Sequence, residues 1–433
     1  MVTDAFVRIM PNFTNSEWLP ASHKVGKNPR SVREAPPHSP RRAKPIAEYV
    51  AASVPLHVAD SWTYFGRAMS AVSSGAIEVA QHLLYYSELR AMHALLFRHG
   101  VVLLNKKNFV LTTTGTVNIP FPTSAKYMAE NAHQSIWVLF RHWTKMQASA
   151  AFYSKTIQLR GEPLSKWAAE RPLQSSLKSV IGPLMERWGM DVARFSNDRE
   201  LRNQLSYNPT RIQLTPTGMT PAYVADLFQQ VWMLLEPEPS NAFEALDRHI
   251  MRDTFEAFVT QDHKSRQISV PNQYGTMNEY WVEKVLGLGS AKSVANFFDD
   301  PAAQPGPAIL SDAGRDLSGL DLTKQLTGMI GRSLVLLRFA TGASRDLLTE
   351  SGCSTSQVDF WLEDMLTLHG IQPPAGTPRN YLDLYDGIRD MVDDIGILES
   401  ETDPANLAMI TEVLAEQFQT LSGFERVPAW AVA

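Results

Sequence analysis

The sequence predicts a mostly α-helical protein with one small β-hairpin inserted in its first half. Three observations predict this class: apolar residues that recur every three or four positions, polar capping residues in front of such stretches, and proline or glycine behind them. No internal repeat with a period of about 20–50 residues accompanies them, so the helices are not expected to form a solenoid.

The strongest helical stretch covers residues 76–100. Neither Gly nor Pro occurs between Ile77 and Arg98, and Gly100 stands where a helical C-cap is expected. A stripe of mainly small residues would let another helix approach closely: Ala80, Leu84, Ser87, Ala91 and Ala94. Because the other faces are also largely apolar, we expect a buried helix in which Glu88 meets a cation from elsewhere in the chain.

Caps and turn residues place the elements around this helix. Helices are predicted at residues 46–52 and 60–72, the second with Asp60 as N-cap. Residues 101–104 and 109–114, joined by the polar turn at residues 105–108, predict the β-hairpin. Further helices are predicted at residues 124–140, 144–158, 173–188, 197–207, 221–235, 241–260, 278–286, 291–298, 323–341, 356–368, 380–395 and 405–421.

Local signals define several of these boundaries. The Gly-Pro pair at residues 182–183 is expected to break or kink its helix. Asn197 is the predicted N-cap of the next helix, with Glu200 as its capping-box partner. Pro221 is expected to open a further helix, because proline is well tolerated in the first turn.

Composition places the chain among soluble globular proteins. Of its 433 residues, 44% are hydrophobic and 20% are charged. The one cysteine, Cys353, excludes an internal disulfide and a cysteine-rich zinc site, and Asp4 stands where a secretory signal would be basic. The longest apolar runs fall far short of the roughly 20 residues that span a bilayer. We therefore expect a cytoplasmic protein with no membrane segment.

Charge and proline content divide the chain into three predicted parts. Residues 1–45 carry eight Lys or Arg, three Asp or Glu and seven prolines, and predict an extended basic arm. The Glu-Pro-Glu-Pro run at residues 236–239 predicts a boundary between a helical domain at residues 46–236 and an acidic helical domain of unknown role at residues 240–433. The charge asymmetry fits either solvated faces or a basic arm that docks on the acidic end, within the chain or on a partner.

Two short motifs resemble the HEPN superfamily of helical domains, and within it the YaaC-like proteins. The first motif is Leu84-Tyr85-Tyr86-Ser87, followed by Arg90-Ala91 and Leu95-Leu96; HEPN-type domains often carry such a Tyr-Tyr helix that ends in Leu-Leu and Gly. The second is Leu201-Arg202-Asn203-Gln204-Leu205-Ser206-Tyr207; ribonuclease members carry Arg, then a polar residue such as Asn, and His a few positions later. The resemblance covers residues 46–235.

This resemblance implies a HEPN-like helical bundle that pairs into a homodimer or larger complex. It implies a cytoplasmic binding or assembly protein, part of an antiviral defence system, with RNA as a partner. The ribonuclease members imply an alternative, a metal-independent enzyme that cleaves RNA. In that case the candidate catalytic residues are Arg202, Asn203, Tyr207 and Glu88, and no cofactor is needed.

The second motif departs from the ribonuclease pattern because Tyr207 stands where His is expected. A Tyr with a pKa of about 10 is a poor base at pH 7, whereas His, with a pKa of about 6.5, is a workable one. Positions five apart on a helix also point about 140° apart, so Arg202 and Tyr207 would converge only if the last turn unwinds. Three interpretations stay open: Arg202 pairs with Glu88 while Tyr207 caps a packed helix end, Arg202 belongs to an RNA-cleaving site in which His93 or His133 fills the missing position, or the site binds RNA or a nucleotide without cleavage. We expect the two motifs to lie side by side, with the Arg202 guanidinium against the carboxylate or the tyrosine hydroxyls of the first motif.

Other motifs favour ordinary structural roles. The Gly-rich run at residues 287–293 resembles a phosphate loop only loosely and fits a helical C-cap followed by a Ser N-cap. Asp386, Asp390 and Asp393 share one helical face, which could bridge a divalent cation or simply be solvated. The histidines show no metal-binding spacing and no dinucleotide fingerprint appears, so we expect no metal and no cofactor.

Overall fold

Helices dominate the computed structural model, as the sequence predicts, and two small antiparallel sheets are inserted among them. The structure describes residues 1–27, 40–104, 107–119, 132–168, 177–207, 220–266, 306–315, 322–368, 381–401 and 415–432. The predicted helices at 278–286 and 291–298, and the Gly-rich run at 287–293, lie outside these residues.

Two groups of elements make up the described chain. The helices are α1 (Val2–Ile9), α2 (Lys24–Lys27), α3 (Pro40–Ser73), α4 (Ile77–Arg98), α5 (Ala132–Trp143), α6 (Gln147–Thr156), α7 (Leu164–Ala168), α8 (Leu177–Arg187), α9 (Val192–Tyr207), α10 (Pro221–Leu234), α11 (Glu244–Arg266), α12 (Ala308–Ala313), α13 (Leu322–Glu350), α14 (Asp359–Leu368), α15 (Tyr381–Glu401), α16 (Ala415–Leu421) and α17 (Val427–Val432). The strands are β1 (Val101–Leu104), β2 (Lys107–Thr112), β3 (Gly115–Ile119), β4 (Gln158–Leu159) and β5 (Glu162–Pro163).

The long helices α3, α4 and α13 form the centre of the fold. Helices α3 and α4 make a hairpin whose turn contains Gly75 at φ 75°, a conformation that glycine adopts without strain. The small-residue stripe of α4 is buried, and the Ser87 hydroxyl donates a 2.8 Å hydrogen bond to the backbone carbonyl of Ser61 on α3. The predicted close helix approach is confirmed. Helix α13 then packs against both members of the hairpin.

Helix α3 is a single helix where the sequence predicts two. It runs through Pro45 and Pro55, although a proline in a helix interior removes one hydrogen bond. Val50, Val54 and Val58 are buried along its length. Burial of this apolar face offsets the loss at Pro55, so the break that proline predicts does not occur.

The predicted hairpin is present and carries one strand more. β1 pairs with β2 in the register Val102 to Phe109, and β2 pairs with β3 in the register Leu111 to Thr116. The third strand was not predicted, because the segment is short and follows a tight Thr-Thr turn that resembles a loop in sequence.

Residues 1–27 are not an extended arm. α1 buries one helical face that includes Phe6 and Ile9, and a 3₁₀ turn follows at Met10–Asn15. The extended interpretation was wrong here because apolar residues at helical spacing outweigh the scattered prolines. The Pro-rich residues 28–39 lie outside the described chain.

The N-terminal segment docks on the acidic end of the chain through aromatic rings. The ring centroid of Phe13 lies 5.8 Å from that of Phe360, and the centroid of Trp18 lies 5.5 Å from that of Trp361. This contact is apolar packing. Among the described residues, the ion pairs of the segment's basic side chains go to Glu48 on α3, so the predicted docking of basic residues on the acidic end is not observed there.

Helices from both sides of residues 236–239 share one core. Trp62 on α3 donates a 2.9 Å hydrogen bond to Thr341 on α13. Trp232 on α10 stacks on Phe424, with ring centroids 4.5 Å apart, and its carbonyl accepts a 2.9 Å bond from Tyr385 on α15. Within the described residues, no separation of the core marks the predicted boundary between domains 46–236 and 240–433.

Two predicted boundaries in the middle of the chain are corrected. Helix α8 continues through the Gly-Pro pair at residues 182–183 without a break. Helix α9 begins at Val192 rather than after Asn197, because the Asp191 carboxylate accepts a 2.9 Å hydrogen bond from the backbone N–H of Arg194 and so caps the helix earlier.

Candidate functional site

Helices α4 and α9 bring the two sequence motifs together. The guanidinium carbon of Arg202 lies 5.2 Å from the ring centroid of Tyr85 and 5.5 Å from that of Tyr86. Arg202 also donates a hydrogen bond to the Tyr85 hydroxyl. Both distances fall within the range of cation–π attraction. The expected contact of Arg202 with the Tyr-Tyr pair is therefore confirmed.

Glu88 has a different partner from the one expected. Its carboxylate oxygens accept hydrogen bonds from Arg332 on α13, at 2.8 Å from Nε and 3.2 Å from Nη2. The same guanidinium donates to Asp198 on α9. The expected pairing of Arg202 with Glu88 was wrong, because Glu88 lies about one turn further along α4, where α13 supplies the cation.

Burial controls the protonation of this buried triad of Glu88, Arg332 and Asp198. Burial raises the pKa of Glu88 to about 7, against the attraction of Arg332 and with a further rise from Asp198. Burial also raises the pKa of the Asp198 carboxyl. Since one guanidinium serves two carboxyl groups, the interior favours a neutral form of one of them near pH 7. Glu88 therefore packs α4 against α13 and is shielded from solvent.

Half-buried aromatic and basic side chains surround Arg202. Tyr64 on α3 stacks on Tyr86, with ring centroids 5.5 Å apart and an interplanar angle of 25°. The ring of His82 lies 5.2 Å from that of Tyr86. Arg199 precedes Arg202 by about one turn of α9. We call the following residues the Tyr–Arg cluster: Tyr64, His82, Tyr85, Tyr86, Arg199 and Arg202.

Burial and positive charge determine the protonation states of the Tyr–Arg cluster. Burial raises the pKa of Tyr85 to about 12, although the Arg202 charge opposes it, so the hydroxyl stays protonated. Burial lowers the pKa of His82, and the charge of Arg202 lowers it further, so the imidazole is neutral at pH 7. The Nε–H groups of Arg199 and Arg202 are buried and have no hydrogen-bond acceptor among the described residues. The cluster thus combines a neutral base with two cations that retain donors.

The remaining predicted site residues are placed less closely. Asn203 is half-buried on α9, and Tyr207 is the last residue of that helix, with its side chain outside the described atoms. His93 contacts the ring of His57 at 5.4 Å and lies seven residues beyond Tyr86, about 10 Å further along α4. The side chain of His133 also lies outside the described atoms. These positions do not place His93 in the Tyr–Arg cluster.

Sequence analysis missed three members of the cluster and the cation that meets Glu88. His82 precedes Tyr86 by four residues and Arg199 precedes Arg202 by three, so helical spacing could have found both. Tyr64 and Arg332 come from other helices. Without a structure, no local spacing connects them to the motifs.

The described residues hold no group of three His, Cys, Asp or Glu side chains suited to a metal ion. The side chains of Asp386, Asp390 and Asp393 are exposed, and Asp386 lies 3.6 Å from Arg389. Within the same residues, no helix has the length and apolar character needed to cross a membrane.

The fold and the site together define a mostly helical protein with a half-buried Tyr–Arg cluster between α3, α4 and α9. No protein-family model, curated protein or solved structure matches the chain. The HEPN-like and YaaC-like assignment therefore stays a prediction, and it rests on the two motifs that this cluster joins.

Proposed function

We propose that this chain is a HEPN-like, YaaC-like cytoplasmic binding or assembly protein that recognises single-stranded RNA at the Tyr–Arg cluster. The observation that carries the proposal is the position of Arg202, which lies against Tyr85 and Tyr86 with a buried Nε–H that no described acceptor uses. Arg202 as a whole is only half-buried, and a phosphate oxygen that reached its guanidinium would accept a charge-assisted hydrogen bond.

The aromatic side of the cluster suits unstacked bases. Tyr64 and Tyr86 are half-buried and already stacked, so a base could extend the stack without a large loss of side-chain entropy. Stacking of a base on an aromatic side chain contributes about 1–3 kcal/mol and tolerates any sequence. Together with two guanidinium groups, this arrangement favours RNA whose bases are unpaired.

The neighbouring carboxyl groups do not oppose an anionic ligand. Glu88 and Asp198 are bound to Arg332, and burial raises the pKa of Glu88 to about 7, so a large fraction of this carboxyl is neutral near pH 7. Their field at Arg199 and Arg202 is therefore weaker than two unpaired carboxylates would produce.

Fluorescence anisotropy of a labelled single-stranded oligouridine tests RNA recognition. Arg202→Ala should weaken binding about tenfold, because it removes a charge-assisted contact, and Tyr86→Ala about fivefold or more. Arg202→Lys keeps the positive charge but loses the planar guanidinium. Its affinity for RNA should lie between that of the unmodified protein and that of Arg202→Ala. Circular dichroism and thermal melts show which variants remain folded.

Arg187→Ala is the control, because it also removes one Arg, an exposed one on α8 that pairs with Glu256 on α11 and is not a member of the Tyr–Arg cluster. It should bind within about twofold of the unmodified protein. Equal binding by the folded Arg202 and Tyr86 variants would exclude the cluster as the RNA site.

His82 favours cleavage of the RNA as a second candidate function, as the resemblance to HEPN ribonucleases implies. A neutral imidazole next to Tyr86 and within the field of Arg202 could accept the proton of a ribose 2′-hydroxyl. The 2′-oxygen would attack the adjacent phosphorus and form the 2′,3′-cyclic phosphate as the bond from phosphorus to the 5′-oxygen breaks. The 5′-oxygen would leave as a hydroxyl after it takes a proton from water, and this scheme uses no metal. Tyr207 is not needed as the base in this scheme.

Incubation of single-stranded RNA with the protein and excess chelator tests cleavage. Cleavage should yield 2′,3′-cyclic phosphate ends and fall at least about a hundredfold in His82→Gln. The ribonuclease is rejected if the unmodified protein leaves RNA intact. The binding function then stands, provided that His82→Gln still binds RNA normally. Growth arrest on expression, relieved by Arg202→Ala, would support the ribonuclease and the defence role.

The proposal includes a homodimer, because HEPN-type domains commonly pair through the helices that carry the two motifs. Light scattering coupled to size-exclusion chromatography should give twice the mass of the 48.3 kDa chain. A monomer at all concentrations would reject this part of the proposal without affecting RNA binding.

A further inference from the structure

A cavity of about 440 Å³ lies between the end of α5 and helix α8, formed by residues outside the Tyr–Arg cluster. Its volume is within the roughly 300–1,000 Å³ typical of small-molecule sites. The apolar part of its lining comprises Phe140, Pro183, Met185 and Met190. These side chains give it a surface that would bury an apolar ligand body.

The rim of the cavity has the opposite character. Arg141, Lys145 and Lys178 contribute three cations, and Glu186 contributes one carboxylate. Glu186 lies 3.7 Å from Arg141, so it offsets that charge first. The rim therefore has a net positive charge, which attracts an anion.

Helix α8 keeps this space open at a cost to its own stability. Gly182 and Pro183 both line the cavity, and they are the two residue types least favourable inside a helix. A Cβ built on Gly182 would lie 3.9 Å from Thr144 Oγ1 and meet nothing closer. Positions where a sequence departs from local helix preference are often functional. Sequence analysis had assigned this pair only the role of a helix breaker.

We propose that the cavity binds a small amphipathic anion, a carboxylate, sulfonate or phosphate joined to an apolar body. The apolar lining holds the body, and Lys145, Lys178 and Arg141 hold the anionic group at the rim. A free phosphate would leave the apolar lining unoccupied, and a neutral apolar molecule would leave the cations unused.

Two fluorescent probes that share one aromatic ring system test whether the apolar lining and the cations both contribute to binding. 8-Anilinonaphthalene-1-sulfonate has the sulfonate, and N-phenyl-1-naphthylamine lacks it. Fluorescence titration of the full chain should show saturable binding of the sulfonate at one site. The neutral probe should bind about fivefold or more weakly, because it loses the contact with the cations.

Gly182→Leu is the decisive variant, because its side chain would occupy the cavity from a position where the Cβ has room. It should fold with an unchanged or higher Tm, since Leu is the better helix former, and bind the sulfonate at least about tenfold more weakly. Lys178→Glu should weaken the sulfonate about tenfold and leave the neutral probe unchanged. Lys166→Gln is the charge control, because Lys166 is an exposed lysine on α7 that pairs with Glu162 on β5.

Three results would overturn the proposal. These are no saturable binding of the sulfonate, equal binding of the two probes, or unchanged binding of the sulfonate by folded Gly182→Leu. If Gly182→Leu does not fold, unchanged binding of both probes by Lys178→Glu decides against the proposal. None of these results bears on RNA binding at the Tyr–Arg cluster.

Discussion

Arg332 holds two acidic side chains inside the protein. Its guanidinium contacts Glu88 and Asp198 and lies 4.8 Å from the ring centroid of Phe195. A buried ion pair adds little net stability relative to an apolar replacement of all its members, but the loss of one member leaves an uncompensated buried charge. The residue therefore links α4, α9 and α13, and its removal alone should be severe.

Arg332→Met should lower the free energy of unfolding by about 3–5 kcal/mol at pH 7, because Glu88 and Asp198 lose their counter-ion. Urea denaturation followed by circular dichroism measures this loss. Arg315→Met is the control, because the Arg315 side chain is exposed where it pairs with Asp312, and it should change stability by about 1 kcal/mol or less. A loss below about 1 kcal/mol in Arg332→Met would contradict the role assigned to the triad.

The buried carboxyl of Glu425 is expected to make the stability of the protein depend on pH. Burial raises its pKa from 4.5 to about 7, with Arg67 and Arg426 opposing. The folded state therefore favours the protonated carboxyl, and this contribution is complete below about pH 4.5 and is lost as the pH rises through 7. Thermal melts between pH 4.5 and 8 should show that the stability of the unmodified protein falls relative to Glu425→Gln. A difference that stays constant with pH would disprove the raised pKa.

At the scale of elements, α9 positions both guanidinium groups of the Tyr–Arg cluster, and its first turn is fixed by Asp191. The cap bond from Arg194 N–H to Asp191 Oδ1 is 2.9 Å long. A side-chain cap satisfies a backbone donor that the helix itself leaves without a partner. The start of α9 therefore decides how rigidly Arg199 and Arg202 face α4.

Asp191→Ala should cost about 0.5–2 kcal/mol of stability and weaken RNA binding, because the first turn of α9 frays. Asn197→Ala is the paired variant, since sequence analysis assigned that residue the cap while the structure places it, exposed, inside the helix. It should be neutral or slightly stabilising, because Ala is the better helix former. Equal losses in both variants, measured by urea denaturation, would show that the cap assignment is wrong.

Local periodicity predicts the elements that have a complete local signal. Helix α4 runs from Ile77 to Arg98, and Gly100 follows at φ 73°, close to the expected C-terminal cap. The helix in residues 1–27 was missed because scattered prolines concealed its apolar face. The continuous course of α3 through Pro55 was missed because tertiary burial overrides a helix breaker, and burial is not visible in a local window.

The candidate site was predictable only in part, for a similar reason. The contact of Arg202 with Tyr85 and Tyr86 was predicted from two short motifs whose resemblance to a known superfamily suggested that they lie side by side. The pairing of Glu88 with Arg332 could not be predicted, because the two residues are separated by 244 positions and the sequence offers several basic residues as partners for this carboxylate. Only the packing of α13 decides which of these basic residues meets Glu88.

At the scale of the whole molecule, α13 joins the two predicted domains. It packs against α3 and α4, and its Arg338 forms a buried ion pair with Asp247 on α11. It also contacts α12 so closely that a Cβ on Gly331 would overlap the Ile309 carbonyl oxygen. The described helices on both sides of residues 236–239 therefore depend on one central helix.

A fragment of residues 46–236 should not fold alone, because it would expose the apolar face of α4 and leave Glu88 without its cation. Circular dichroism and heteronuclear NMR of this fragment should show lost tertiary structure, and co-expression with residues 240–433 should restore it. The full chain, treated identically, is the control. A stable fragment with dispersed NMR signals would establish two independent domains after all.

The late position of α13 in the chain also affects how the protein is made. A ribosome adds roughly 5–20 residues per second, so Arg332 is added roughly 10–50 s after Glu88, which it follows by 244 positions. During that interval the hairpin of α3 and α4 has left the exit tunnel with its apolar surface uncovered. The nascent chain is therefore expected to need a holding chaperone until synthesis of α13 is complete.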